Sequence, residues 1–76
     1  MNMDKRVKVR DLREDNEKTQ QEIADFLGCE RSGYARIERD ERALPLWVAD
    51  RLADYYGTSV DYIIGRTEIK EPYPKE

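Results

Sequence analysis

Hydrophobic residues recur along this chain every three to four positions, which is the spacing of amphipathic helices rather than of strands. The pattern is clearest between positions 19 and 42. Ile23, Ala24 and Leu27 fall on one face of a helix predicted over residues 20–27. Gly28 follows, where a left-handed residue often ends a helix.

A second amphipathic run covers positions 30–39. It places Tyr34 and Ile37 inward and Arg31, Ser32 and Arg36 outward. Two short helices joined by a glycine-containing turn predict a helix-turn-helix unit, whose second helix can enter a DNA major groove.

The start of the first of these helices carries a capping signal. Thr19 and Glu22 have the Thr-x-x-Glu spacing of a capping box, a reading that is purely structural for Glu22. The N–H groups of a helix N-terminus also favour an anion. Gln20 lies beside them and is expected to donate to a phosphate.

Further helices are predicted on both sides of this unit. Asp4 is expected to cap a helix beginning near Lys5, with Val9 and Leu12 inward and Val7 at the edge. Another helix follows Leu44, with Pro45 in its first turn and Gly57 at its end. Its predicted inward positions are Leu46, Ala49, Leu52, Ala53 and Tyr56, and Val48 is expected to border this face.

A short last helix completes the set. Ser59 is its predicted cap, Val60, Ile63 and Ile64 are expected to close the core, and Gly65 ends it. The prediction is therefore an all-α chain of five helices without strands. Residues 1–67 would form one domain and residues 68–76 a tail.

The charge of the chain weighs against a simple nucleic-acid binder. It holds 14 basic and 17 acidic residues, a net charge of −3, although a local basic face can coexist with that total. Positions 1–13 carry a net +3 from five basic and two acidic residues. A solvated helix face and a phosphate-facing surface explain this segment equally well.

The chemistry available to the chain is narrow. Cys29 is the single cysteine and histidine is absent, so disulfides, cysteine clusters and most zinc sites are excluded. We expect Cys29 to be a buried, inert thiol between the two helices. No catalytic residue, metal site or cofactor is predicted, and the chain is not expected to be an enzyme. It shows no membrane span or signal peptide, which favours a cytoplasmic protein.

Four separated segments resemble one family in order and spacing. They are LRE at 12–14, TQQEIADFLG at 19–28, ARIER at 35–39 and LADYYGTSVDYIIG at 52–65. Over positions 9–67 the chain is similar to the Cro/repressor-type (Xre) helix-turn-helix family. The resemblance implies a lambda-repressor-like five-helix fold that binds a double-stranded DNA operator, usually as a two-fold homodimer.

The resemblance also implies roles for individual residues. Arg13 would pair with Glu38, and Tyr34 and Ile37 would be core residues, with the Tyr34 hydroxyl able to reach the surface. Residues expected to contact bases are Glu30, Arg31, Ser32, Gly33 and Arg36. Residues expected to contact phosphates are Gln20, Arg39 and Arg42.

Several positions depart from the family pattern. Asp40 stands where glycine is usual after the third helix, so that turn is expected to be strained or reshaped. Lys18 replaces an apolar residue, and Glu41 replaces a commonly basic one. Glu30 and Gly33 are unusual on the base-reading face, although a carboxylate can accept a hydrogen bond from cytosine N4.

Two functions of different classes remain open. The first is a sequence-specific DNA-binding transcriptional regulator, a repressor, whose dimer contact could use an exposed patch at Trp47 and Tyr62. For Trp47, packing on its own helix at the rim is an equal alternative. The second is an antitoxin-like or adaptor module on the same fold, which binds a protein through its acidic surface.

Overall fold

Five helices form the chain in the computed structural model, which describes residues 7–71. They are α1 (Val9–Asp15), α2 (Gln20–Leu27), α3 (Arg31–Glu38), α4 (Leu46–Tyr56) and α5 (Val60–Ile63). No strand occurs within the described range. The predicted all-α, five-helix fold is therefore confirmed. None of these helices is long and apolar enough to span a bilayer.

The first helix starts later than the sequence indicated. Val7 and Lys8 are not helical, and Lys8 is the N-cap of α1, so a helix running from near Lys5 is wrong for these two positions. The Lys8 N–H donates to the Ile63 carbonyl at 2.7 Å, which holds this segment against α5 instead of in a helical turn. Asp4 and Lys5 lie outside the described residues.

The boundaries of α2 follow local chemistry. The Thr19 side chain accepts from the Glu22 N–H, and the Glu22 carboxylate accepts from the Thr19 N–H, so the predicted capping box is confirmed. Gly28 takes the left-handed conformation with φ 78°. Its N–H donates to the Ala24 carbonyl at 2.9 Å, which closes the end of the helix.

The core lies where the five helices meet. Its buried members are Val9, Leu12, Ile23, Ala24, Leu27, Tyr34, Ile37, Val48, Ala49, Leu52, Ala53 and Ile63. Most of these positions were predicted from the three-to-four spacing. Val7, Tyr56, Val60 and Ile64 are partly buried and pack against the core.

The start of α4 differs from the prediction in three ways. Pro45 is the N-cap of α4 and not part of its first turn. Leu46 is 73% exposed, so its predicted inward position is wrong. Val48 is buried in the core rather than at its border, because the face of α4 that packs inward begins with Val48 and Ala49.

The last helix and the segment after it contact the rest of the fold. Ser59 caps α5 by accepting from the Tyr62 N–H, as predicted, but the helix ends at Ile63 with Ile64 as its C-cap. Beyond it, Glu68 lies 3.8 Å from the Lys8 ammonium, and the Thr58 hydroxyl donates to the Lys70 carbonyl. The domain boundary at residue 67 stays a prediction.

Candidate nucleic-acid interface

Helix α3 has one buried face and one exposed face. Tyr34 and Ile37 are buried, as predicted, while Arg31, Ser32 and Arg36 are exposed. The expectation that the Tyr34 hydroxyl can reach the surface is wrong, because that oxygen is buried, and it has no hydrogen-bond partner among the described residues. The ring of this residue fills the core, which fixes the rotation of α3 about its axis.

The C-terminal end of α3 is anchored to α1. Arg13 donates to the Glu38 carboxylate from Nε (2.6 Å) and from Nη2 (3.1 Å), and from Nη1 to the Lys18 carbonyl (2.8 Å). The Glu38 side chain is only 2% exposed. The pair that the family resemblance implied is therefore formed, and it lies beneath the surface of the bundle.

The same carboxylate also connects α3 to the start of α2. Gln20 Nε2 donates to Glu38 Oε1 at 3.0 Å, and Gln20 Oε1 accepts from Arg31 Nη1 at 3.3 Å. A continuous chain of side chains therefore runs from Arg13 through Glu38 and Gln20 to Arg31. It couples the orientation of an exposed arginine on α3 to the buried anchor.

Electrostatics agree with this arrangement. Burial alone would raise the pKa of Glu38, but the hydrogen bonds from Arg13 and Gln20 outweigh it and hold the pKa below its ordinary value. The hydrogen bond to Glu38 likewise raises the pKa of Arg13. The Tyr34 hydroxyl also affects the pKa of Glu38, although the two groups do not meet hydrogen-bond geometry. Burial raises the pKa of Tyr34 itself. Glu38 is thus ionised at neutral pH.

The arginines near α3 differ in their partners. Arg31 contacts Gln20, and Arg39 makes two hydrogen bonds to Glu41, of 3.0 and 3.1 Å. The bond from Arg39 lowers the pKa of Glu41. Within residues 7–71, the side chains of Arg36 and Arg42 make no hydrogen bond or ion pair, so their guanidinium groups have unused donors.

A groove runs along the exposed face of α3 toward the start of α4. It has a volume of about 420 Å³. It is lined mostly by residues of the α2–α3 turn, α3 and the beginning of α4: Cys29, Glu30, Ser32, Gly33, Arg36, Ile37, Arg42, Pro45, Trp47 and Val48. The structure therefore gathers most of the predicted base-contacting residues, with Arg42, around one groove.

Cys29 lies on the rim of this groove and is exposed, so its predicted burial is wrong. Its backbone N–H donates to the Ala24 carbonyl after the left-handed residue Gly28, and this turn directs the side chain outward. Leu27 is the buried residue at this end of α2.

The turn after α3 keeps a left-handed residue, so of the two outcomes expected from the sequence it is strained and not reshaped. Asp40 has φ 63°, a left-handed conformation in which the family usually has glycine. The Glu41 N–H donates to the Arg36 carbonyl at 2.8 Å and the Asp40 N–H to the Ile37 carbonyl at 3.1 Å. The turn is therefore well hydrogen-bonded despite the strained backbone.

The two aromatic residues predicted to form an exposed patch differ in exposure. Trp47 is 52% exposed, with the Arg51 guanidinium 5.8 Å from its ring. Tyr62 is partly buried under the Lys8 ammonium, so it does not contribute an exposed ring. Sequence reasoning missed the exposed ring pair of Phe26 and Tyr55, whose centroids are 4.6 Å apart, because its members belong to different helices.

No group of acidic or cysteine side chains among the described residues could hold a metal ion. Phosphate contacts from Gln20, Arg39 and Arg42 remain predictions. So do base contacts from Glu30, Arg31, Ser32, Gly33 and Arg36.

Comparison with known proteins agrees with this geometry. The family described as a helix-turn-helix domain matches residues 6–62. An uncharacterized HTH-type transcriptional regulator of Bacillus subtilis, YobD, is 34% identical over 65 residues, which cover 86% of this chain and 58% of that protein. The cryptic phage CTXphi transcriptional repressor RstR of Vibrio cholerae is 28% identical over 61 residues, or 80% of this chain and 55% of that protein.

The chain thus spans little more than half the length of either relative. No solved structure matches it significantly.

Proposed function

Because the chain belongs to the helix-turn-helix domain family, as a protein of the Cro/repressor type, we propose that it is a sequence-specific DNA-binding transcriptional regulator. Helix α3 would enter the major groove of an operator. The observation that carries this proposal is the exposed face of α3. There the Arg36 side chain makes no hydrogen bond or ion pair within the described residues, while Tyr34 and Ile37 hold the helix from its buried side.

In this proposal the folded protein already holds α3 in the orientation that DNA binding requires. A side chain that contacts a base must be held by a rigid support, because ordering it on binding costs affinity. The buried contact between Arg13 and Glu38 supplies that support, and Gln20 extends it to Arg31. Arg31 and Arg36 would then read bases, where an arginine paired to guanine contributes about 1–3 kcal/mol of discrimination.

Phosphate contacts would fix the protein on the duplex. The capping box uses the Glu22 N–H, and the N–H groups of the first residues of α2 have no partner within the helix. The Gln20 amide nitrogen carries a second hydrogen besides the one given to Glu38, so it can also donate to a phosphate. Arg39 would have to exchange Glu41 for a phosphate.

Repression and dimerisation are the finer parts of the proposal. The likeness to a phage protein named as a repressor supports repression. A domain of this size offers few base contacts, so two copies on inverted half-sites would be needed for a specific operator. The exposed Leu46 and Trp47 at the start of α4 provide apolar surface for such a contact.

We further propose that the chain has no enzymatic activity.

Selection of bound sequences from a random DNA pool tests the proposal directly. Binding of Arg31→Ala and Arg36→Ala to the selected operator and to scrambled DNA should then show a loss of preference for the operator. Arg66→Ala removes the same charge outside the helix-turn-helix unit and serves as the matched control. An unchanged preference in both variants would overturn the base-reading role of α3.

Sedimentation at micromolar concentration with and without operator tests the dimer, which a strict monomer on DNA would refute.

A protein-interaction module of the antitoxin or adaptor type is the second candidate. The exposed ring pair of Phe26 and Tyr55 favours it, since it offers an apolar contact away from the groove residues. Failure to bind a calf-thymus DNA column at low salt, together with a co-purifying protein, would support this candidate over the first.

A further inference from the structure

The guanidinium of Arg42 lies against the first turn of α3. A Cβ built on Gly33 would be 3.4 Å from Arg42 Nη1, so this arginine covers the backbone at the third residue of the helix. In helix-turn-helix complexes the N-terminal residues of the second helix contact the base edges. Arg42 is therefore close to the part of α3 that would approach bases, although it lies outside that helix in the sequence.

No other described group holds Arg42 in this place. It is exposed and has no hydrogen bond or ion pair within residues 7–71. It lines the same groove as Ser32 and Arg36, and its positive charge adds to that of Arg36 there. By contrast, Arg39 is turned toward Glu41.

We propose that Arg42 reads a base rather than a phosphate, and that Gly33 keeps open the place from which it does so. This inference rests on the proposed DNA-binding function. A guanidinium has a planar fork of donors that matches O6 and N7 of guanine, so guanine in the major groove is the expected partner. Glycine weakens a helix interior, and at position 33 its lack of a side chain leaves the place of the Arg42 guanidinium open.

The test uses the full chain and the operator selected from a random pool. Dissociation constants are measured for the operator and for each single-base variant of it, at two salt concentrations. For Arg42→Ala, we expect discrimination to fall by about 5- to 150-fold at one base pair of each half-site and to be unchanged elsewhere. Arg42→Lys should lose the same discrimination, because it keeps the charge but lacks the fork.

A phosphate contact would give a different result. Removal of Arg42 would then weaken binding about equally for all sequences and reduce the salt slope by about 1. That outcome would overturn the inference, and retention of full discrimination by Arg42→Lys would also count against it.

Variants of Gly33 test the second half of the inference. Gly33→Leu should fill the place of the guanidinium and reduce discrimination at the same base pair, and combining it with Arg42→Ala should add nothing. Gly33→Ala adds one methyl group at an ordinary contact distance and should keep the discrimination, so it is the matched control. Unchanged discrimination in folded Gly33→Leu would show that the place is not needed. If that variant does not fold, the Arg42 variants alone decide the base-reading role.

The two proposals fail in distinguishable ways. If no DNA sequence is selected, the proposed function itself fails. If a sequence is selected and depends on Arg31 or Arg36, while Arg42→Ala acts uniformly, only the role of Arg42 is refuted.

Discussion

Arg13 and Glu38 join the first helix to the end of the third through two hydrogen bonds, of 2.6 and 3.1 Å. They are 25 residues apart in the sequence and nearly enclosed, with side chains 13% and 2% exposed. Removing one member of such a pair leaves the other charge without a partner in a region of low dielectric.

Arg13→Ala should therefore destabilise the fold by about 3–5 kcal/mol, the usual cost of breaking a buried ion pair from one side. Urea unfolding followed by circular dichroism measures this loss. Arg10→Ala is the control, because Arg10 pairs with Glu14 on the exposed surface of the same helix and should cost less than about 0.5 kcal/mol. Equal losses of unfolding free energy in both variants would show that the buried pair stabilises the fold no more than the exposed one.

The stability of the fold should fall in acid partly because of Glu38. Its pKa is lower in the folded chain than the ordinary value of 4.5, so the folded state favours the ionised form. The resulting stabilisation is present above pH 4.5 and is lost as the pH falls through the folded pKa. Unfolding free energies from pH 7 to pH 3 should thus decline more in the natural protein than in Glu38→Gln. Parallel curves would contradict this.

Between residues 7 and 71, two residues other than glycine adopt left-handed backbone conformations, which cost energy for side chains with a Cβ. They are Glu17 with φ 57° and Asp40 with φ 63°. Glycine removes that strain, although its greater freedom in the unfolded chain offsets part of the gain. Glu17→Gly should stabilise the protein by up to about 1 kcal/mol, and Asp40→Gly by less, because aspartate tolerates this region better.

Thermal unfolding of both variants checks this ordering. Gln21→Gly is the control, since Gln21 is an exposed residue of α2 with no need for a left-handed backbone, and glycine should destabilise the helix there by up to about 1 kcal/mol. A fall in melting temperature for Glu17→Gly would refute the strain argument.

Glu41 should restrain DNA binding by occupying Arg39. Both side chains are 54% exposed, so the pair contributes little to folding, yet it must break before Arg39 can reach a phosphate. Glu41→Gln should raise affinity for operator and scrambled DNA by a similar factor, because phosphate contacts are independent of sequence. Fluorescence anisotropy at two salt concentrations measures this.

Asp50→Asn removes one negative charge from an exposed residue of α4 and controls for the change in net charge. An increase no larger than that of the control would show that the pair with Arg39 does not limit binding.

Local signals in the sequence predicted much of the architecture. The capping box of Thr19 and Glu22 and the left-handed Gly28 depend on neighbours within a few residues, and the inward position of Tyr34 follows from the amphipathic spacing of its helix. The start of α1 could not be predicted in this way, since it depends on a hydrogen bond from Lys8 to the distant Ile63. The exposure of Leu46 likewise follows from how α4 meets the bundle and not from its spacing.

The sequence predicted which residues lie in the candidate site, but not how their side chains are arranged. The spacing placed Arg31 and Arg36 outward, which is where they lie. The position of Arg42 over Gly33 required the path of the chain after α3, which turns back at Asp40. Whether an exposed arginine has an acidic partner depends on how the chain folds around it. The number of charges in the sequence therefore could not show that Arg39 is paired with Glu41 while Arg42 lies over Gly33.

The separation of faces on α3 has a consequence for redesign. The side chains that hold the helix, Tyr34, Ile37 and Glu38, are distinct from the exposed residues Ser32 and Arg36. The exposed positions can therefore be substituted at little cost in folding stability. Under the proposed function, such substitutions would direct the same fold to new operators.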